Sequence, residues 1–302
     1  MCIRDRLKYL VEGDSDVNKF YREYFSCLLS YSAMTIPEIA DDFYQIDDAI
    51  RTGYAWSYGP FEIWDNLGVN EAVEMMKSCG EEVPSWIKDM VDSGVKSFYV
   101  FEDGKKKFYD LNTKKYKTVP SSENHYILDA FRENKQILKN PECTVHDIGD
   151  GVMCIEFQTK GNSIGEGIAK GINEAIDIAE KDGWNGIVIG NNDKQFSVGA
   201  NLMNMGMMAM QKNFDEIEKF LVGFQKILMR MRTCNVPVVS ATHGFVLGGG
   251  LEVSIHCDAG IHASESYIGL VEAGVGLIPG GGGTKEMAMR ASDSFNSGDV
   301  KM

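Results

Sequence analysis

Two rhythms of apolar and polar residues divide the chain. From about Val17 to Gly94 apolar residues recur at helical spacing, as in NKFYREYFSCLLSYSAM, with its aromatics and leucines on one side. TIPEIADDFYQIDDAIRTG predicts a second helix, capped at Thr35, with Pro37 in its first turn and a stop at Gly53. GPFEIWDNLG and NEAVEMMKSCG are shorter helices closed by glycine. Trp56, Phe61 and Trp64 occupy helix-packing positions and are expected to be largely buried. SFYVFEDG then turns through Asp103–Gly104 into KKKFYDL, a β-hairpin. The polar segment from Val119 to Glu142 reads as a linker carrying one helix, and the charged, unpatterned opening MCIRDR is set aside from the fold.

Beyond about Thr144 the rhythm alternates. VMCIEFQTK is a strand, IGEGIAKGINEAIDIAEKDG an amphipathic helix and WNGIVIGN a strand. A glycine-containing loop, a Met-rich helix and the buried strand VPVVSATHG follow, so this half is an α/β domain. The strand runs into HGFVLGGGLEVS. There Leu251 and Ile255 share a face if a helix starts at the glycines, leaving free backbone N–H groups at its start. Of 32 glycines, 12 lie between Gly244 and Gly283, so backbone makes its closest approaches there.

Composition narrows the possibilities. The 302 residues are 44% apolar and 25% charged, as in ordinary globular proteins, and the net charge of −14 argues against nucleic acid or an anionic membrane as partner. Seven cysteines, widely spaced and without a CxxC pair, read as free thiols in a reducing compartment, so a cytoplasmic location is expected. No apolar run is long enough for a membrane span, and no signal-peptide core is present.

Three segments carry candidate chemistry: FSVGAN (Phe196–Asn201), GFVLGGGLE (Gly244–Glu252) and GLVEAGVGLIPGGGGTKE (Gly269–Glu286). The amides of Ala200 and Gly249, converging from two strand ends, could hold an oxygen that becomes negative during reaction. Glu252 and Glu272 would then be two carboxylates suited to acid/base work on the adjoining carbons. Taken singly, each feature has a plainer reading: a helix cap for Glu252, a solvated acid for Glu272, a turn for the glycines. Only the combination is specific. Gly274-Val-Gly276-Leu-Ile-Pro279 and Gly165-Glu-Gly167-Ile-Ala-Lys170 fail the dinucleotide fingerprint at its sixth position, and PGGGGTK lacks the order of a phosphate loop. His125, His146, His243, His256 and His262 show no metal spacing, so no metal site is expected. The cluster MNMGMMAM (Met203–Met210) reads as adaptable core packing, with a share of an acyl-chain pocket as the alternative.

With these residues in view, the second half resembles the crotonase (enoyl-CoA hydratase/isomerase) superfamily over about Thr144 to Arg290. FSVGAN is similar to that family's first oxyanion segment, which gives the role to the amide of Ala200. Asn201 stands where the family commonly has Asp. LGGGLE is similar to the second, implicating Gly249 and Glu252, and LVEAGVGLIPGGGGT to the segment carrying the later glutamate, Glu272. Possession of both acids is similar to the hydratases. The resemblance implies an α/β crotonase-like (ClpP/crotonase spiral) domain over 144–302, incomplete at its C-terminus. In the first half, AIRTGYAWSYGPFEIWDNLG resembles the mainly α-helical C-terminal domain of 3-hydroxyacyl-CoA dehydrogenases, over 7–118 with 119–143 as linker.

That order is the order of bacterial fused β-oxidation proteins. It implies a fragment of a bifunctional enzyme that hydrates trans-2-enoyl-CoA and oxidises the 3-hydroxyacyl-CoA with NAD, the NAD being bound by a domain outside this chain. Hydration itself needs no cofactor. The substrate is an acyl-CoA thioester, with Lys160, Asn162 and Ile164 as candidates for contacting CoA. A homo-oligomer or a thiolase is the partner expected in the full-length protein, and weak or no hydration is expected of the fragment alone. The alternatives are a crotonase-type isomerase or thioester hydrolase on the same oxyanion site, or a non-catalytic interaction module.

Overall fold

The computed structural model describes residues 3–102, 104–120, 122, 125–131 and 135–294, which form two compact units divided between Ala130 and Phe131. In the first unit, α1 (Ile3–Val11), α2 (Asp16–Met34), α3 (Phe43–Tyr54), α4 (Pro60–Leu67), α5 (Val69–Ser78) and α6 (Ser85–Asp92) precede an antiparallel sheet. Its strands are β1 (Tyr99–Glu102), β2 (Lys105–Asp110) and β3 (Lys115–Thr118). The expected hairpin is β1–β2, and Asp103 of its turn lies outside the described residues. Aromatic rings fill the core: Phe43 lies 5.1 Å from Phe61 and 5.2 Å from Phe98, centroid to centroid.

Several expectations for this unit change. Thr35 closes α2 instead of opening the next helix: its N–H donates to the Tyr31 carbonyl. α3 starts only after Asp42, where a reciprocal pair with Gln45 supplies the cap. Phe61 and Trp64 are fully buried, but Trp56 is 36% exposed because it falls in the loop between α3 and α4, with no helix to aim it inward. The opening segment set aside from the fold contributes to α1, whose Leu7 is buried.

The second unit is built on a six-stranded sheet. In chain order, β4 (Gln136–Lys139), β5 (Cys143–Asp147), β6 (Val152–Phe157) and α7 (Glu166–Asp182) lead to β7 (Gly186–Ile189). Then come α8 (Leu202–Met210), α9 (Phe214–Thr233), β8 (Val238–Thr242), β9 (Phe245–Leu247) and α10 (Gly249–His256). β10 (Ala259–His262), β11 (Tyr267–Gly269) and α11 (Gly283–Ser294) complete it. The sheet order is β10-β8-β7-β6-β5-β4, parallel from β6 to β10 and antiparallel at the β4–β5–β6 edge, with β9 and β11 forming a separate parallel pair. Ile155, Ile187, Ile189 and Val238 bury one face of the sheet in a core shared with Ile168, Ile172 and Ile176 of α7. The segment expected as a linker thus contains β4 and the 3-10 turn Leu128–Phe131, where a helix was expected. β4 is short and bulged, an edge strand with too little alternation to announce itself. The six described cysteines are free thiols, and no helix among the described residues is long and apolar enough to cross a membrane.

Candidate active site

The site is assembled where two loops cross at strand ends. Gly248 takes φ +49°, a conformation that favours glycine, and lets β9 turn straight into α10. Gly199 sits at φ +91°; a Cβ there would lie 2.8 Å from the Leu247 carbonyl oxygen and 3.1 Å from the Gly249 nitrogen. The bare backbone therefore lays the Ala200 loop directly on the start of α10. The loop is pinned on its other side by Ile164, whose N–H donates to Gly199 O at 2.8 Å and whose carbonyl accepts from Asn201 N–H at 3.1 Å. These bonds skip the residue between. Among the described residues neither the Ala200 N–H nor the Gly249 N–H donates to a partner, the latter because first-turn amides of a helix have no intrahelical acceptor. Both amides belong to one cavity of about 490 Å³.

Glu252 and Glu272 line the same cavity. Glu252 follows one turn into α10 and is 2% exposed. It forms no capping box, since the third helical position is Leu251. Its Oε1 accepts from the Gly283 N–H at 2.9 Å, at the start of α11. Burial raises its pKa, the Gly283 amide partly offsets this, and the Glu272 charge raises it further. The glycine run 280–283 thus wraps backbone around this carboxylate: a Cβ on Gly281 would collide with Glu252 Oε2, and one on Gly283 would lie 3.0 Å from its Cγ. As a failed phosphate loop the run had no assignment; glycines beside a buried acid are the signal that could have supplied one. Glu272 opens the 3-10 turn Glu272–Val275, and its Oε2 is buried with no hydrogen-bond partner among the described residues. A Cβ on Gly248 would lie 2.9 Å from its other oxygen, so the same glycine makes the turn and clears space for the second acid.

The three residues considered for CoA separate. Ile164 is buried and lines the cavity. Lys160 is exposed in the preceding turn. Asn162 is 2% exposed; its side-chain amide donates to Gln195 O at 2.9 Å, and its backbone carbonyl accepts from Ser197 Oγ at 2.7 Å. It braces the loop. The Met-rich segment is α8, which has no buried residue, so core packing is the wrong expectation for it. Leu202 and Met205 of this helix face the cavity instead.

Gly165 caps α7, but the Glu142 carboxylate already accepts from the Ile168 N–H at 3.1 Å, placing an anion on that helix start. Gly274 belongs to the 3-10 turn that Gly276 ends. Histidines serve the fold: His256 Nδ1–H donates to the Glu252 carbonyl at 2.7 Å, and buried His146 pairs with Glu156 at 3.0 Å.

The strand-end cavity thus brings together two amides that have no partner among the described residues and two acids. Residues 147–296 match the enoyl-CoA hydratase/isomerase family model. Over 297 residues the chain is 39% identical to a Bacillus subtilis protein named as a probable 3-hydroxyacyl-CoA dehydrogenase, covering 97% of this chain and 37% of that protein. It is 28% identical over 289 residues to a Rickettsia felis protein assigned as a fatty acid oxidation complex trifunctional enzyme, covering 95% and 37%. The crystal structure of an enoyl-CoA hydratase from Polaromonas sp. JS666 superposes with a TM-score of 0.47 at 23% identity, covering 49% of this chain and 58% of that one. The family match puts an enoyl-CoA hydratase/isomerase domain in the second half of the chain. The chain spans about 37% of the length of these two relatives.

Proposed function

We propose that the second domain hydrates trans-2-enoyl-CoA thioesters. The observation that carries this reading is the convergence of two amides without partners among the described residues and two carboxylates on one largely apolar cavity. The thioester oxygen would accept from the Ala200 and Gly249 N–H groups, which stabilise the negative charge it gains as the enolate forms. Glu252, its proton affinity raised by burial, takes a proton from water as the water oxygen bonds to the β-carbon. Glu272 delivers a proton to the α-carbon, and 3-hydroxyacyl-CoA leaves. One acid has then gained a proton and the other lost one, so exchange with solvent resets the site.

In the full-length protein, oxidation of that product with NAD, by a domain outside this chain, would complete two consecutive steps of fatty-acid β-oxidation. A cytoplasmic location and a homo-oligomer or thiolase partner belong to the same proposal. The test follows crotonyl-CoA hydration through loss of the conjugated thioester absorbance, with deuterium incorporation at the α-carbon measured in parallel. Parent-rate hydration by both Glu252→Gln and Glu272→Gln would remove the two-acid mechanism.

A further inference from the structure

Glu286 is an acid that the hydration scheme leaves without a task. It lies in the first turn of α11 and is fully buried, yet it does not line the cavity. Its N–H donates to the Gly282 carbonyl at 3.0 Å. Its carboxylate meets three side chains. Oε2 pairs with Arg232 Nη1, and Oε1 lies 2.9 Å from Lys285 Nζ and 3.6 Å from His256 Nε2. A carboxylate buried this deeply persists when cations compensate its lost hydration.

Only one of the three fastens α11 to another helix. Lys285 belongs to α11 itself. Burial is the main influence on His256 and lowers its pKa, so the ring is neutral near neutral pH. With Nδ1–H given to the Glu252 carbonyl, Nε2 then carries no proton and meets Glu286 as one acceptor facing another. Arg232, in the last turn of α9, is the remaining tie. Seven residues earlier, on the same side of α9, Gln225 donates to the Gly280 carbonyl at 2.6 Å. α9 therefore holds the glycine run at both ends, through Gln225 at Gly280 and through Arg232 at Glu286. Between those points lies the Gly283 N–H that donates to Glu252 Oε1.

We propose that Glu286 is a positioning residue for Glu252: its tie to Arg232 fixes the start of α11 and so aims the Gly283 amide at the Glu252 carboxylate. The catalytic meaning of this tie rests on the hydratase reading above; the tie itself does not. The test uses the full chain without substrate. NMR of isotope-labelled glutamate carboxyls follows the titration of Glu252, assigned by the signal lost in Glu252→Gln. Glu286→Gln should move that titration upward by about half a pH unit or more, because the amide bond that favours the charged form is weakened. Loss of the Glu286 charge acts the other way, since removing a like charge lowers a carboxyl's pKa. An upward shift therefore reports position and not charge. In Glu286→Gln and in Arg232→Met, hydrogen exchange at the Gly283 amide should quicken about tenfold or more while β6, β7 and β8 keep their protection. Arg232→Lys, which keeps a cation, should return that exchange toward the parent rate. A titration that stays or falls, or a Gly283 amide that stays protected, overturns the proposal. If Glu286→Gln does not fold, parent-rate exchange at Gly283 in Arg232→Met overturns it instead. With crotonyl-CoA, kcat of Glu286→Gln should drop about tenfold while KM stays within about twofold. If the parent chain hydrates no enoyl-CoA, the proposed function fails alone, and titration and exchange still judge the tie.

Discussion

In the helical unit, fully buried Asp47 accepts from the Phe61 N–H at 2.9 Å, the Glu62 N–H at 3.1 Å and the Tyr99 hydroxyl at 2.7 Å. In the α/β domain, Glu252 is buried almost as completely, but accepts from glycine backbone and turns toward a cavity where Glu272 has an oxygen with no partner among the described residues. Burial pushes both acids up, Asp47 to about 7. A raised pKa therefore does not separate structure from chemistry. The separating feature is a carboxylate oxygen left without a partner among the described residues, on a residue that lines a cavity. Asp47 spends its oxygens on the start of α4 and on β1, tying three elements together, whereas the acid pair of the second domain keeps capacity for a ligand.

The largest expected effect follows directly. Glu252→Gln and Glu272→Gln should each slow hydration by about two to four orders of magnitude, the usual worth of a positioned general acid or base. Asp47→Ala should leave the rate per folded molecule unchanged, and instead destabilise the helical unit by about 3 kcal/mol. That figure combines a lost helix cap with a buried tyrosine hydroxyl left unsatisfied. Steady-state kinetics with crotonyl-CoA and urea denaturation followed by tryptophan emission read the two quantities. A hundredfold loss of rate in folded Asp47→Ala would collapse the contrast between the two acids.

Two glycines sharpen it further. Gly59 and Gly281 each lack room for a methyl group, the first against Asp47 and the second against Glu252 and Phe224. Gly59→Ala should cost about 1–3 kcal/mol of stability in the helical unit, the usual penalty of overpacking, with hydration intact. Gly281→Ala should displace the Glu252 carboxylate and lower kcat by about tenfold or more, as misplacement of a catalytic group does. If Gly281→Ala hydrates normally, the glycine run does not position Glu252.

These contrasts also mark what a sequence discloses. The α10 turn was legible because three glycines after a β-branched strand leave few alternatives. The Asp47 network was not. Its partners lie 14, 15 and 52 residues away, and nothing in the local sequence distinguishes Asp47 from Asp41, Asp42 and Asp48 beside it. The same holds for Glu142, which caps α7 from 26 residues upstream. Trp56 and the Met-rich helix misled in the opposite sense: apolar composition predicted burial, but a loop without periodicity and a helix facing a cavity both leave apolar side chains outside the core. Local pattern carries the elements and their glycine breaks, and long-range capping is visible only once the chain is folded.

The smallest expected effect concerns the stability of the α/β domain. The folded-state pKa of Glu252 lies above the ordinary glutamate value, so its contribution to stability is fully present below the unfolded pKa and is lost as pH rises through the folded one. As pH rises and Glu252 loses its proton, the domain comes to carry a buried carboxylate at a cost set by desolvation. Glutamine has the same shape, can still accept from the Gly283 N–H, and carries no charge. Glu252→Gln should therefore stabilise the domain at pH 8 by about 0.5–1 kcal/mol, the usual return for relieving a functional site, and the gain should fade toward pH 4. Amide hydrogen exchange in β6, β7 and β8 reads the stability of this domain separately from that of the helical unit. If Glu252→Gln instead destabilised β6–β8 at pH 8 by as much as Asp47→Ala destabilises the helical unit, Glu252 would be a structural cap for α11. The two acids would then differ in address alone.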